Sequence, residues 1–272
     1  ISSAASDVYK RQVGSDGGES VVVGWLLLLA ARALLPVCKK RGDTARAMLF
    51  ERESAALRAA IESKAWDKNR YIRAFFGDGT SLGSADCSEC AVDCVSECFA
   101  VFANAVHARD AFETMLAALT DPVNGLIRLL TPPFDGKTRN AVGYIEGYLP
   151  GVRENGGQYT HAAAWCIIAA CRLGMADTAD SLFKMINPIE HGSANSIERY
   201  KGEPYAVAGD VYSVGRLAGR AGWTLYTGSA AWLYRAAVEN ILGIRKRGTK
   251  LFVEPCTCLL YTSPSPRDAH ES

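Results

Sequence analysis

The chain contains 272 residues, of which 49% are hydrophobic and 22% are charged, and its formal net charge is +1. This apolar content can bury a core, which excludes a wholly disordered polyelectrolyte, and the balanced charge argues against a broadly basic nucleic-acid binder. Nine cysteines, an odd number in a long chain, do not fit a small disulfide scaffold and favour a mostly reduced environment. We therefore expect a globular cytoplasmic protein that binds no nucleic acid.

One apolar stretch, residues 21–37, is a candidate membrane span. It is slightly short for a bilayer and contains Arg32 and Pro36. Residues 19–20 look like a helix start and 39–41 like a helix end, so we interpret the stretch as a buried core helix. Segment 1–12 lacks the basic region and apolar run of a signal peptide.

Apolar periodicity predicts helices joined alternately by short turns and by long loops rich in glycine and proline. This pattern suits an α-helical barrel with a few short strands, whose long loops gather at one mouth and carry the function. The predicted helices cover about Gly18–Val37, Thr44–Ala65, Ser88–Ala105, Arg109–Leu119, Thr160–Leu173, Asp177–Ile186 and Ser229–Leu242, and the predicted strands about Tyr71–Phe76, Leu126–Leu130 and Leu251–Val253.

Both ends of the chain differ from this pattern. Segment 258–272 turns abruptly rich in proline and serine, and segment 1–12 has no apolar period. Both look like translated adapter or vector sequence, and we expect the tail to be disordered. The predicted domain therefore covers residues 13–257.

Four cysteines, at positions 87, 90, 94 and 98, invite a zinc or iron–sulfur interpretation. The last three, however, form one stripe of a single predicted helix, and a tetrahedral site usually takes ligands from two segments. We therefore prefer buried cysteines on a packed helix face and assign no metal ligand.

The longest loop carries many polar side chains beside its glycines in residues 147–161. The glycines permit tight turns, and Arg153 and Glu154 supply donors and acceptors. Thr160 can cap the next helix, which places His161 in a first turn where free N–H groups and the positive helix end favour an anion. The alternative is a loop that only stabilises itself, but this density of polar groups favours a binding site.

A second candidate cradle lies in residues 222–232, where Thr227, Gly228 and Ser229 precede a helical run. Hydroxyl groups and unpaired N–H groups there can bind an oxyanion, although taken alone this stretch is better explained as an ordinary N-cap. Its aromatic rings suit either a core or a sugar-binding platform. Further upstream, Glu203 precedes a proline in extended backbone, from which it projects either into a cleft or into solvent.

Together these stretches resemble glycoside hydrolase family 94, which comprises inverting β-glucoside phosphorylases and the phosphorylase-like part of cyclic β-1,2-glucan synthase. The Arg-Glu-Asn-Gly-Gly-Gln-Tyr-Thr-His block at 153–161 is the most specific, and the blocks look closest to the β-1,2-glucan branch. In family order they are 18–25, 71–83, 130–134, 150–161, 203–205 and 222–229.

The resemblance implies a mainly α fold, a partial (α/α)6 barrel. It also implies phosphorolysis of a β-linked glucan or glucosyl oligosaccharide, with inorganic phosphate as co-substrate, no cofactor, and α-glucose 1-phosphate as product. An inverting hydrolase needs a second carboxylate to activate water, whereas phosphate is already an anionic nucleophile. The family pattern assigns phosphate binding to His161, Thr227 and the Gly228 N–H group. It assigns sugar binding to Glu154, with Gln158, Tyr159 and Glu203 as neighbouring candidates.

The main departure from the family pattern concerns the general acid. In the family it lies in an Asp-Trp-Asn-Asp-Gly-like motif shortly before the block at 18–25, and this motif is absent here. We therefore expect the acid upstream of Val13 and an inactive fragment, and we assign no catalytic residue. The chain also departs from the family at Cys94, Glu97, Cys98 and Phe99, where small polar residues, an amide and a tryptophan are more common.

Two alternatives stay open. The first is a non-catalytic carbohydrate-binding helical module that uses Glu154 and the aromatic rings. The second is a Cys-rich metal-binding or redox protein built on residues 87–98. For the full-length parent, the resemblance implies a homodimer and, among cyclic glucan synthases, a membrane anchor that leaves this region in the cytoplasm.

Overall fold

The computed structural model describes residues 17–138 and 140–256. The segments predicted to be foreign, 1–12 and 258–272, lie outside the described residues. Helices dominate the described part, which confirms the mainly α prediction. The helices are α1 Val21–Lys40, α2 Thr44–Lys64, α3 Cys94–Ala103, α4 Ala108–Leu119, α5 Thr160–Arg172, α6 Ala176–Ile186, α7 Pro188–His191, α8 Ile197–Tyr200 and α9 Thr227–Tyr234, which continues as a π-helix over Arg235–Ile241; 3-10 helices cover Gly143–Gly147 and Gly215–Leu217.

The helices form an arc of two layers. In the inner layer α1 packs against α3, α3 against α5, and α5 against α9, while the outer helices α2, α4 and α6 each pack on the inner helix that precedes them. This alternation of inner and outer helices is the arrangement of a partial helical barrel. The inner position explains the composition of α3 and α5, whose residues are almost all buried.

The core between the layers is built from large apolar side chains. Trp25 of α1, Phe112 and Met115 of α4, and Ile167 of α5 have no exposed surface. Burying a side chain of this size contributes about 1.5–3 kcal/mol, so packing of the two layers stabilises the helices more than their intrinsic propensity does.

Helix α1 is long and apolar enough to cross a membrane by length and composition, with a mean hydropathy of 2.2. One face packs on α2 and α3 through Val22, Trp25 and Leu28. The Arg32 guanidinium on this helix donates a 2.9 Å hydrogen bond to the carbonyl of Phe102 in α3. Its other face, which carries Leu27, is exposed, and 28% of the apolar window is buried.

Short strands close the loops between helices. Their bounds are β1 Glu19–Ser20, β2 Trp66–Asp67, β3 Arg70–Tyr71, β4 Ala74–Phe75, β5 Ser81–Leu82, β6 Val92–Asp93, β7 Thr120–Asp121, β8 Leu126–Ile127, β9 Leu130–Thr131, β10 Gln158–Tyr159, β11 Asp210–Val211, β12 Ile244–Arg247 and β13 Lys250–Val253. They pair antiparallel as β1 with β4, β4 with β5, β2 with β3, β6 with β9, β7 with β8, β10 with β11 and β12 with β13.

Three of the predicted helices have wrong boundaries. The helix predicted from Ser88 begins at Cys94, because residues 92–93 pair with β9 and the Asp93 carboxylate caps the helix. The helix predicted from Gly18 begins after its cap, Ser20, and runs through Pro36 to residue 40. The last predicted helix begins two residues early, at Thr227, and changes to a π-helix after residue 234.

Candidate functional site

The four inner helices begin at the same edge of the arc, which we call the helix-start edge (Val21, Cys94, Thr160 and Thr227). Backbone hydrogen bonds through Leu129 link the beginning of α3 to the loop before α5. The Cys94 N–H donates to Leu129 O at 2.8 Å, and the Leu129 N–H donates to Gly157 O at 2.8 Å. The Thr160 N–H donates to Gly209 O at 3.0 Å. The long loops therefore gather at one mouth, as the sequence predicts.

Helices α5 and α9 run side by side, parallel and in register. Their N-cap residues, Tyr159 and Tyr226, line the same small cavity. Five residues into each helix, Trp165 and Trp232 meet edge to face with ring centroids 5.5 Å apart. The first turns of the two helices, which carry His161 and Thr227, are therefore neighbours.

Neither of these two helix beginnings has a side-chain cap. Tyr159 and Tyr226 make no capping hydrogen bond, whereas Ser20, Asp43 and Asp93 accept from the first turns of α1, α2 and α3. A helix N-terminus carries unsatisfied N–H groups and a partial positive charge. Two neighbouring beginnings without side-chain caps are suited to binding one anion.

His161 lies between two aromatic rings in the first turn of α5. Its ring centroid is 4.5 Å from that of Tyr159 and 4.8 Å from that of Trp165. Burial lowers the pKa of His161 to about 4, because apolar surroundings disfavour the charged imidazolium. At neutral pH the ring is uncharged, so it offers one N–H donor and one acceptor nitrogen.

The beginning of α9 combines accessible and buried groups. Thr227 and Gly228 are exposed, so a ligand can reach them from solvent. Ser229 is 1% exposed, and within the described residues its hydroxyl has no hydrogen-bond partner.

Glu154 lies beside two tyrosines. The Tyr144 hydroxyl donates to its Oε1 at 3.4 Å, whereas Oε2 is buried and accepts no hydrogen bond from the described part of the chain. Burial, and then the negative charge of Glu154, raise the pKa of Tyr159. The Glu154 carboxylate therefore faces two phenol groups, those of Tyr144 and Tyr159.

Arg153 packs flat on an aromatic ring. Its guanidinium carbon is 3.4 Å from the centroid of the Trp223 ring, and the guanidinium donates to the Tyr148 hydroxyl at 3.2 Å. With Tyr159 and Tyr226, Arg153 and Trp223 line a cavity of about 20 Å³, close to the volume of one water molecule. The stacked guanidinium fixes the position of an exposed indole face.

Two polar residues of the 153–161 block hold the loop in place. The Asn155 side chain accepts from Phe134 N–H at 2.7 Å and donates to the carbonyls of Phe134 and Tyr148. Gln158 is buried; its Oε1 accepts from Ile127 N–H at 2.9 Å, and its Nε2 donates to Thr160 Oγ1 at 3.2 Å. Thr160, predicted as a cap, is the first helical residue.

Glu203 does not line the cavity between α5 and α9. Burial raises the pKa of the Tyr200 phenol to about 12, and the charge of the nearby Glu203 acts in the same direction. One of its carboxylate oxygens is buried and has no hydrogen-bond partner in the described residues. The structure thus brings the 153–161 and 222–229 blocks together through Arg153, Trp223 and the two tyrosines of the cavity. Of the predicted site residues, Tyr159 alone lines that cavity, and Glu203 lies in neither block.

Sequence reasoning missed Asp210. Strand pairing sets this residue opposite Tyr159, and its carboxyl lines the cavity. Burial raises its pKa, although Trp223 N–H donates to Oδ1 at 2.9 Å and the charge of Arg153 acts in the opposite direction. The other oxygen is buried without a hydrogen-bond partner in the described chain. Asp210 follows Glu203 by seven residues, but only long-range pairing reveals where it lies.

Comparison with known families identifies the chain. The model of the glycosyl hydrolase 94 superfamily, catalytic domain, matches residues 6–243. The chain belongs to this superfamily. The predicted resemblance to glycoside hydrolase family 94 is thus confirmed, and with it membership of an enzyme family whose members include phosphorylases and a glucan synthase.

Relatives within the glycosyl hydrolase 94 superfamily are much longer than this chain. The chain is 46% identical over 250 residues to the cyclic beta-(1,2)-glucan synthase NdvB of Rhizobium meliloti (strain 1021), covering 90% of this chain and 9% of that protein. It is 30% identical to the N,N'-diacetylchitobiose phosphorylase of Vibrio furnissii, covering 88% and 30%. A solved structure described as a sialidase superposes with a TM-score of 0.59 at 10% identity, covering 89% and 22%, which shows likeness of fold alone.

Proposed function

We propose that this chain is part of an inverting β-glucoside phosphorylase, or of the phosphorylase-like region of a cyclic β-1,2-glucan synthase. The observation that carries the proposal is the pair of parallel helix beginnings without side-chain caps, with His161 on one and Thr227 on the other. The 46% identity to NdvB favours a β-1,2-linked glucan as the substrate class.

In the proposed reaction a phosphate oxygen attacks the anomeric carbon from the face opposite the leaving group. The glycosidic C–O bond breaks, an acid protonates the leaving oxygen, and the product is α-glucose 1-phosphate. Phosphate is the co-substrate, and no further cofactor is needed. A single carboxylic acid suffices because the nucleophile is already an anion.

Phosphate binding is assigned to the two helix beginnings. The neutral His161 donates one ring N–H, Thr227 donates its hydroxyl, and Gly228 donates its backbone N–H. The partial positive charges of α5 and α9 add to these hydrogen bonds. Because burial keeps His161 uncharged, the helices and hydrogen bonds supply the attraction without a permanent cation.

Sugar binding is assigned to the mouth beside the phosphate. The unsatisfied oxygen of Glu154 accepts a sugar hydroxyl, and the Trp223 ring supported by Arg153 offers a flat apolar face. Tyr159 lies between these groups and His161. Gln158, whose amide is already hydrogen-bonded, and Glu203 are secondary candidates for the sugar.

The general acid is assigned to an Asp-Trp-Asn-Asp-Gly-like motif that residues 13–257 do not contain. The 272-residue chain is therefore expected to bind phosphate without turning over substrate. Turnover of a β-1,2-glucan by this chain alone would contradict this part of the proposal. We further propose that the chain lies in the cytoplasm and that α1 belongs to the barrel. Retention of the chain in membranes after a carbonate wash would contradict this.

The decisive experiment measures phosphate binding by calorimetry and then activity after the upstream family sequence is restored. His161→Leu and Thr227→Val should each weaken phosphate binding by about tenfold, because each removes one hydrogen bond to a charged ligand. Thr44→Val is a matched control, because Thr44 is also an exposed threonine at the first position of a helix.

The restored protein should release α-glucose 1-phosphate only when phosphate is present. Release of free glucose without dependence on phosphate would refute phosphorolysis. Glucan binding that is unaffected by His161→Leu, in a chain that binds no phosphate, would favour the non-catalytic carbohydrate-binding module instead.

A further inference from the structure

Three cysteine sulfurs meet in the core between α3 and α5. Cys94 and Cys98 lie one turn apart on α3, and Cys166 faces them from α5. The Sγ of Cys166 is 3.3 Å from that of Cys94 and 3.7 Å from that of Cys98, and the Cys94 and Cys98 sulfurs are 4.0 Å apart. All three residues are at most 1% exposed. The reaction proposed above gives these thiols no role.

Cys166 removes the objection that a stripe on one helix cannot enclose an ion, because it supplies a ligand from a second helix. An ion bonded to three sulfurs at about 2.3 Å holds them about 3.8 Å apart in a tetrahedral site and about 4.0 Å apart in a planar one. The observed separations of 3.3, 3.7 and 4.0 Å are close to these values. The two helices therefore already hold the sulfurs where one ion would bridge them.

The number and type of ligands select the ion. Among the described residues, no fourth histidine, cysteine or carboxylate atom joins the cluster. The buried carboxylate of α3, Glu97, accepts instead from the Tyr71 N–H at 3.1 Å. Structural zinc takes four ligands, whereas soft thiolates select Cu(I), which three sulfurs satisfy.

Helix geometry offsets the negative charge of the thiolates. Cys94 is the first residue of α3, and Cys166 lies in the second turn of α5, so the positive ends of both helices are close.

We propose that Cys94, Cys98 and Cys166 form a three-thiolate site that binds one Cu(I) ion and ties α3 to α5. Each Cu–S bond replaces an S–H bond, the released protons go to solvent, and copper stays in the +1 state. His161 lies five residues before Cys166 on the same helix, so the bound ion stiffens the helix that carries His161. This site is independent of the proposed phosphorolysis.

The test titrates the reduced 272-residue chain anaerobically with Cu(I), in competition with a chromophoric Cu(I) chelator. The chain should retain one ion, with three sulfur neighbours by X-ray absorption. Cys98→Ala should weaken the binding by about 100-fold or more, since removing even an outer-shell partner costs up to that factor. The control is the double variant Cys38→Ser, Cys87→Ser, which removes two partly exposed thiols elsewhere and should retain the ion.

Thermal unfolding gives a second measurement. One equivalent of Cu(I) should raise the Tm of the wild type and of the control, but not that of Cys98→Ala or Cys166→Ala. A wild-type chain that holds no ion, or fewer than three sulfurs around it, would overturn the proposal. So would wild-type affinity in either alanine variant, or displacement of Cu(I) by an equal concentration of Zn(II).

Discussion

Replacing His161 with glutamine should flatten the acid dependence of stability. Burial lowers the pKa of His161 from 6.5 to about 4, so between these values the unfolded chain binds a proton that the folded chain does not. The free energy of unfolding therefore falls as the pH drops from 6.5 to 4. At 1.36 kcal/mol per pKa unit, this single group costs about 3 kcal/mol by pH 4. Glutamine fills a similar volume and does not titrate.

The assay is urea unfolding, followed by tryptophan fluorescence, at several pH values from 7.5 to about 4 for the wild type and His161→Gln. The other titratable groups are common to both proteins, so the difference between the two curves isolates His161. The wild type should lose about 3 kcal/mol more than the variant over this range. Parallel curves would refute the argument that burial holds this histidine neutral.

Phosphate provides an independent check of the same residue. An anion beside the ring favours the imidazolium, so phosphate binding should raise the pKa of His161 and take up a proton. The NMR titration midpoint of the His161 ring protons should move upward in phosphate buffer. A midpoint that phosphate leaves unchanged would place the anion elsewhere.

Two further substitutions test the packing around the helix-start edge. Asp93→Asn removes the buried carboxylate that pairs with Arg73, and this should cost about 3–5 kcal/mol of unfolding free energy in urea. Asp86→Asn, which breaks an exposed ion pair, should cost far less, and similar losses would contradict the role given to burial. Gly222→Ala places a methyl group against the Asp210 carboxylate and should cost about 1–3 kcal/mol, seen as a lower Tm. An unchanged Tm would contradict this close contact.

Local signals were enough to predict several helices. The sequence predicts a helix over Thr44–Ala65, and α2 ends one residue earlier, at Lys64. Its N-cap, Asp43, is a local signal for where the helix begins. The first residue of α5 is likewise predicted, since Gly156 and Gly157 end the preceding loop. Local patterns predicted His161 in a first helical turn and Thr227 just before a helix, and the structure shows those two helix beginnings to be neighbours.

Long-range contacts were beyond the reach of sequence reasoning. The helix predicted from Ser88 fails because residues 92–93 pair with β9, almost forty residues later. Cys166 is separated from Cys94 by 72 residues, so the third thiol could not be assigned to the cluster from spacing. Asp210 enters the cavity through pairing with β10, a contact that no local pattern signals.

Separate contacts align helices α5 and α9 and hold the neighbouring loop in place. The indole contact of Trp165 with Trp232 sets how the two helices align, whereas Asn155 anchors the neighbouring loop through bonds of its own. In the proposed phosphorylase, exchanging loop residues around Glu154 would alter which saccharide fits without shifting the helices. Under that proposal, selection could change the carbohydrate preference while binding of the anion stays constant.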